Sequence, residues 1–259
     1  MSDSAAMFVL LPGLFLCFLL FVEIGRRLGA RWVDEEETER ERVVLNTIET
    51  AIYALLGLMI AFTFSGAAER FDARRSLTVQ EGNAIGTAYL RLDLLPAAAQ
   101  PALREKFRRY TEARIAVYHA LPDLEASNTH AARAGALQGQ IWAEAVTALK
   151  DAPPASSLLL LPALNDMLDI TTTRAIMLRT HTPPVVLVTL LMLTLVCSLL
   201  IGNGLARKRT CGAVLHTVGF ALVLTVTLYV ILDLDHPRAG LIQLDYADQA
   251  LADVLAGMK

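Results

Sequence analysis

Four long apolar stretches, paired at the two ends of the chain, dominate its pattern of hydrophobic and polar positions. Each holds close to the ~20 residues that a helix needs to cross the hydrocarbon core of a bilayer. Only helices and closed barrels satisfy their backbone in that environment. The stretches lie at 5–22, 51–68, 185–206 and 212–232. The pattern predicts an all-α polytopic membrane protein with four transmembrane helices in two pairs around an extramembrane helical bundle.

The predicted segments follow these stretches and the prolines between them. No proline interrupts the chain between the second stretch and Pro96, so this helix is predicted to continue past the membrane as one rod. Pro96, Pro101 and two later proline pairs then break the middle of the chain into shorter helices. The expected segments are transmembrane helices at 5–24, 49–68, 183–206 and 212–232, a short charged connection at 25–48, an extramembrane helical domain at 69–182, a basic turn at 207–211, and a tail with a short amphipathic helix at 233–259.

Composition agrees with a membrane protein and argues against several classes of function. The chain is 54% hydrophobic with a mean hydropathy of +0.46, and a soluble domain could bury such a hydrophobic fraction only with a very large core. The net charge of −3 gives no basic excess, so nucleic acid is not expected as a partner. The sequence lacks a nucleotide-binding loop, a G-x-S-x-G motif and an H-E-x-x-H motif. It therefore predicts neither an enzyme nor a bound cofactor or metal.

Basic residues in the two short connections predict the orientation in a bacterial inner (plasma) membrane. These residues are Arg26, Arg27, Arg31, Arg40, Arg42, Arg207, Lys208 and Arg209. The positive-inside rule places both hairpin turns in the cytoplasm and the segment 69–182 outside. Arginines at both ends of 69–182 reduce this asymmetry, so the reverse orientation stays open.

The second apolar stretch and the residues after it hold the candidates for an ion pathway. Phe62 and Phe64 are candidates for an apolar constriction that gates by dewetting, or alternatively face lipid. In an oligomer, Arg70, Arg74 and Arg75 would form a positive ring that attracts anions. The alternative is that these arginines only pair with acids at the membrane surface.

Two further groups of polar residues are candidates for function. Polar faces on two membrane-proximal helices predict either a buried hydrogen-bond network or a water-filled conduit. Their residues are Glu81, Asn83, Thr87 and Arg91 on the first helix and Asp169 and Arg174 on the second. After the fourth stretch, Asp233, Asp235 and His236 have the donor types of a cation site. The favoured alternative is a turn whose carboxylates point to water.

Several sequence segments resemble the bacterial bestrophin-like membrane protein family. They are LGLMIAF at 56–62, ERFDARR at 69–75, EGNAIGTAYLR at 81–91, DLLP at 93–96, and LDLDHPRAGLI at 232–242. The resemblance implies an oligomeric ion channel, anion-conducting, with four membrane helices per subunit and a pore lined by the second helix. It implies the lipid bilayer, further copies of this chain and inorganic anions as partners, with 69–182 in the cytoplasm. The alternative function is a non-conducting membrane sensor or scaffold whose helical domain binds a partner.

Overall fold

The computed structural model describes residues 3–31, 39–121, 123–206, 211–236, 240–242 and 245–258, and every regular element among them is helical. The predicted all-α class is therefore confirmed. The α-helices are α1 (Asp3–Arg31), α2 (Glu39–Leu90), α3 (Gln100–His119), α4 (Leu124–Ala148), α5 (Pro154–Arg179), α6 (Pro184–Leu205), α7 (Cys211–Asp235) and α8 (Asp245–Gly257). Short 3₁₀ turns at Arg91–Leu94 and Leu149–Asp151 follow α2 and α4.

Four helical stretches of the described chain are long and apolar enough to cross a membrane, judged by length and composition. They are Val9–Arg31, Glu39–Leu94, Pro154–Leu205 and Gly212–Asp235. α2 alone has 52 residues, which at 1.5 Å per residue corresponds to ~78 Å of helix. This is more than twice the ~30 Å thickness of a hydrocarbon core. As predicted from the absence of proline before Pro96, α2 continues as one rod.

The chain divides into two compact units, and α2 contributes to both. The first unit contains Met1–Arg70 and His181–Leu241, and the second contains Phe71–Thr180 and Ile242–Lys259. The first unit therefore includes α1, α6, α7 and the first part of α2. The second includes the rest of α2 together with α3, α4, α5 and α8.

Close backbone contact between α1 and α6 holds the first unit together. A Cβ atom added at Gly25 would collide with the backbone carbonyl of Leu199, and one added at Gly202 would collide with that of Val22. Small residues allow membrane helices to approach each other this closely. Van der Waals packing then stabilises the helix pair, because the hydrophobic effect does not drive helices together in lipid. Gly29, four residues after Gly25, lies against the Asn203 side chain in the same way.

The second unit has an apolar core built from α2, α3, α4, α5 and α8. Its largest fully buried side chains include Phe107, Tyr110, Ile141 and Leu164. α8 adds Leu251 to this core, as expected for an amphipathic helix in the tail. α8 packs beside Gly82 of α2, where an added Cβ atom would make ordinary van der Waals contact, 3.5 Å from the carbonyl oxygen of Ala250.

Candidate functional site

One face of α2 stays exposed in the chain over much of its length. Exposed positions recur at alternating spacings of three and four residues, the spacing that keeps side chains on one side of a helix. The positions are Leu55, Leu58, Phe62, Ser65, Glu69, Asp72, Ser76, Val79 and Asn83, followed by Thr87 and Leu90. We call these eleven residues the exposed stripe. Helices pack against one another along seams of this spacing where the seam is apolar, as it is at Leu55, Leu58 and Phe62.

The composition of the exposed stripe changes along α2 from apolar to acidic to mixed. Phe62 is 68% exposed and lies on the stripe directly before Ser65 and Glu69. Phe64 is 41% exposed but lies two residues further along, which turns it about 200° around the helix axis. Of the two predicted constriction residues, only Phe62 therefore shares a face with Glu69 and Asp72.

Two of the three predicted ring arginines point away from this face and into the chain. Arg70 donates from Nε to Asp235 Oδ1 at 2.8 Å and from its terminal nitrogen to the Thr182 hydroxyl. Arg74 is buried and donates to the carbonyl oxygens of Thr180 at 2.7 Å and Met177 at 3.4 Å. It thereby satisfies carbonyl groups at the C-terminal end of α5.

Unlike Arg75, Arg70 and Arg74 therefore contact groups of their own chain, and the positive ring of Arg70, Arg74 and Arg75 in an oligomer stays a prediction. Helical spacing explains the difference, because Arg70 and Arg74 are four residues apart and share the side of α2 that packs within the chain. Arg75 is exposed. The charges on the exposed stripe at this level of the helix are the carboxylates of Glu69 and Asp72.

Glu81 forms the centre of a buried charged cluster that joins α2, α3 and α5. Its carboxylate, 0% exposed, accepts from Arg114 Nε at 2.5 Å, from the Arg174 guanidinium, and from the Tyr118 hydroxyl at 3.1 Å. Arg174 also donates to Thr78 Oγ1 at 2.9 Å and stacks 3.7 Å above the Tyr118 ring. Two guanidinium groups thus share one carboxylate in the interior of the second unit.

The surroundings of this cluster favour the ionised form of Arg114 and the neutral form of Tyr118. Burial alone would lower the pKa of Arg114, but the Glu81 carboxylate raises it above its usual range. Burial raises the pKa of Tyr118 and keeps its hydroxyl neutral. Ion pairing with Glu81 therefore stabilises the charged form of Arg114 in the interior of the second unit.

The structure brings together only two of the six residues predicted for the polar network. Glu81 and Arg174 meet, whereas Asn83, Thr87 and Asp169 are exposed and lie outside the cluster. Arg91 donates instead to the carbonyl oxygen of Leu159. Arg114 was not among the predicted residues, although it lies four residues after the buried Tyr110 on the apolar face of α3.

The two aspartates at the end of α7 are buried, so the prediction that they point to water is wrong. Asp233 accepts from the backbone N–H of Leu241 at 3.0 Å. Asp235 accepts from the backbone N–H of Thr182 at 2.8 Å and from Arg70. The two carboxylates therefore serve different partners. His236 is exposed, and its ring stacks on that of His181 with centroids 4.5 Å apart.

Comparison with known proteins places the chain in a family. The family model of the Bestrophin-like domain matches residues 15–248. The chain belongs to the bestrophin-like family. The resemblance found in the sequence is thereby confirmed, and bestrophin-like proteins are known as membrane channels and not as enzymes. No curated protein sequence matches the chain.

Solved structures of bestrophin homologs share the fold of this bestrophin-like chain. A crystal structure of a mutated bacterial bestrophin homolog from Klebsiella pneumoniae matches with a TM-score of 0.66 and 15% identity, over 96% of this chain and 98% of that chain. Another structure of the Klebsiella homolog matches with a TM-score of 0.64 and 14% identity, over 94% and 97% of the two chains. At these identities the similarity shows the fold alone.

Proposed function

We propose that this bestrophin-like protein forms a homo-oligomeric ion channel whose pore is lined by the exposed stripe of α2. The observation that carries the proposal is the stripe itself, an uninterrupted seam on a 52-residue helix. A seam of this period stays aligned with a common axis when identical helices surround it. Copies of α2 around such an axis would place each Phe62 at one level and each Glu69 and Asp72 at the next.

In this arrangement Phe62 forms the constriction. Its side chain is 68% exposed in the isolated chain, and a ring of phenylalanines would form a narrow apolar passage that gates by dewetting. Leu58, one turn away on the same stripe, extends the apolar stretch. Phe64 lies off the stripe and would contact lipid or a neighbouring subunit.

The charge beside this constriction favours cations. Each subunit contributes the carboxylates of Glu69 and Asp72 to the pore, while Arg70 and Arg74 are engaged within the chain. Rings of acidic side chains select cations. The anion conduction implied by the family resemblance would rest on Arg75, which lies beside the stripe, three residues after Asp72 and about 60° around the helix from it. We therefore propose that cations permeate in preference to anions.

We propose that the protein is located in the bacterial inner membrane, with both hairpin turns in the cytoplasm. The basic residues of the two short connections support this orientation. The reverse orientation, implied by the family resemblance, would place the predicted segment 69–182 in the cytoplasm. Cysteine labelling from one side of intact cells at exposed Asp166 separates the two orientations.

The test is the reversal potential of the purified protein in liposomes under a salt gradient. We expect the wild type to prefer cations and the Glu69→Gln, Asp72→Asn double variant to lose most of that preference. Glu112→Gln, which neutralises an exposed carboxylate on α3, is the matched control and should leave the potential unchanged.

Two outcomes would contradict parts of this proposal. An anion preference that persists in the double variant would refute the assignment of the permeating ion. Absence of flux at every pH, potential and divalent-ion concentration, from an intact oligomer, would refute conduction. That second outcome would favour the alternative of a sensor or scaffold protein.

A further inference from the structure

We propose that His181, Asp235 and His236 form a binding site for one transition-metal ion of the Zn²⁺ type. Each residue offers one donor atom, and these atoms all lie within 4.8 Å of one another. His181 comes from the link between α5 and α6, and Asp235 and His236 come from the end of α7. All three lie in the first unit. The proposal is independent of ion conduction.

The Asp235 carboxylate is held in a fixed orientation. It is 0% exposed, and Oδ1 accepts a hydrogen bond from Arg70 and Oδ2 one from the Thr182 backbone N–H, both at 2.8 Å. Carboxylates that bind metal ions are usually oriented by hydrogen bonds of this kind. Arg70 also compensates the buried negative charge when no ion is bound.

Backbone carbonyl groups select the same tautomer in both histidines. Nδ1 of His181 lies 3.0 Å from the carbonyl oxygen of Asp235, and Nδ1 of His236 lies 3.2 Å from that of Leu232. A carbonyl oxygen only accepts, so each Nδ1 carries the proton in these contacts. Each Nε2 then keeps the lone pair that a metal ion needs. A ring N–H donated to a carbonyl is the usual support of a metal-binding histidine.

Closing the site requires an imidazole ring to turn, because the in-plane lone pairs of two parallel stacked rings do not point at one common ion. Zn²⁺ binds nitrogen and oxygen donors at about 2.0–2.2 Å, which places tetrahedral donors about 3.4 Å apart. The two imidazole rings are parallel within 6°. His236 is exposed at the end of α7, and to approach Asp235 its ring would leave the stack on His181 and its contact with the Leu232 carbonyl oxygen. The exposed side of the site leaves the fourth position to water.

The donor set determines the class of ion. Two imidazoles and one carboxylate suit Zn²⁺, Co²⁺, Ni²⁺ and Cu²⁺. Ca²⁺ and Mg²⁺ require shells of oxygen donors, which His181 and His236 do not supply. A bound ion would tie the link before α6 to the end of α7, so binding should stabilise the first unit.

The experiment is a Zn²⁺ titration of the metal-stripped full-length protein in detergent, followed by calorimetry. We expect one ion per chain, with affinity reduced at least tenfold in His181→Ala and in His236→Ala. Because both side chains are exposed, these variants should fold, and equal thermal unfolding without metal verifies this. His216→Ala is the matched control, since His216 is also exposed and also contacts a helix carbonyl through Nδ1, that of Gly212.

Co²⁺ supplies a second readout of the same site. The wild type should give the intense visible absorption of tetrahedral Co²⁺, and both variants should lose it. Equal loss of Zn²⁺ affinity in all three histidine variants, or unchanged affinity in His181→Ala and His236→Ala, would overturn the proposal. Absence of saturable Zn²⁺ binding by the wild type would overturn it as well.

Discussion

Replacing Glu81 by glutamine should destabilise the second unit more than any other single carboxylate-to-amide change on α2. Glu81 is 0% exposed and faces Arg114 and Arg174, whose side chains are 8% and 5% exposed. The amide removes the negative charge and leaves two guanidinium groups uncompensated in the interior. Removing one partner of a buried ion pair costs about 3–5 kcal/mol. For a chain of this size the melting temperature should fall by roughly 6–20 °C, at about 2–4 °C per kcal/mol.

The assay is thermal unfolding in detergent at one fixed scan rate, because membrane proteins often unfold irreversibly. Asp93→Asn is the matched control, since Asp93 also pairs with an arginine, Arg104, but its side chain is 62% exposed. An exposed pair of this kind contributes about 0–1 kcal/mol. A melting temperature of Glu81→Gln that falls no further than that of Asp93→Asn would refute the buried charge cluster as a source of stability.

A double variant separates the loss of charge pairing from a local packing defect. In the Glu81→Gln background, Arg174→Met should cost less stability than it does in the wild type, because Arg174 has already lost its carboxylate. Residues of one network typically show coupling energies of about 0.5–3 kcal/mol. Strictly additive losses would mean that Glu81 and Arg174 act independently.

Two further predictions concern the packing of α1 against α6 and the roles of Arg74 and Arg75. Gly202→Ala should lower the melting temperature by forcing α1 and α6 apart at Val22, at a cost of about 1–3 kcal/mol. Gly13→Ala, where the added Cβ meets nothing within 4 Å, should leave it unchanged. Arg74→Gln should lower the melting temperature, since hydrogen bonds from charged groups contribute about 1.5–3 kcal/mol, without moving the reversal potential. Arg75→Gln, the control, should change the free energy of unfolding by less than about 0.5 kcal/mol. If Arg74→Gln changed the ion selectivity and left the stability unaltered, that result would contradict the contacts of Arg74 with α5.

The elements of the fold follow from local sequence, and for that reason they were predictable. An apolar stretch of some 20 residues commonly forms a transmembrane helix in lipid, and the four such stretches correspond to the four candidate spans. The length of α2 followed from the distance to Pro96. The contact between α1 and α6 was missed, although Gly25 and Gly29 have the spacing of a membrane-helix packing motif.

The partners of the charged residues could not be predicted from local sequence, because these partners lie far away along the chain. Arg70 pairs with Asp235, which is 165 residues away, and Glu81 pairs with Arg174, which is 93 residues away. Helical periodicity assigns a residue to a face, but it does not say which element covers that face. The pairing of Glu81 with Arg174 and not with Asn83 or Thr87 required the packing of α5 on α2 in three dimensions.

Helical periodicity does, however, show which charged side chains of α2 lie on the exposed stripe, the face that we propose to line the pore. Seven residues complete two turns of a helix, so Phe62 and Glu69 lie on nearly the same side, and Asp72 follows three residues later. Arg70 and Arg74 fall on the other side and meet groups of their own chain. A pore that used those arginines would have to break their contacts with Asp235 and with the end of α5. Arg70 and Arg74 therefore serve internal structure, whereas Glu69 and Asp72 remain on the exposed stripe, and this difference is the basis of the cation preference that we propose.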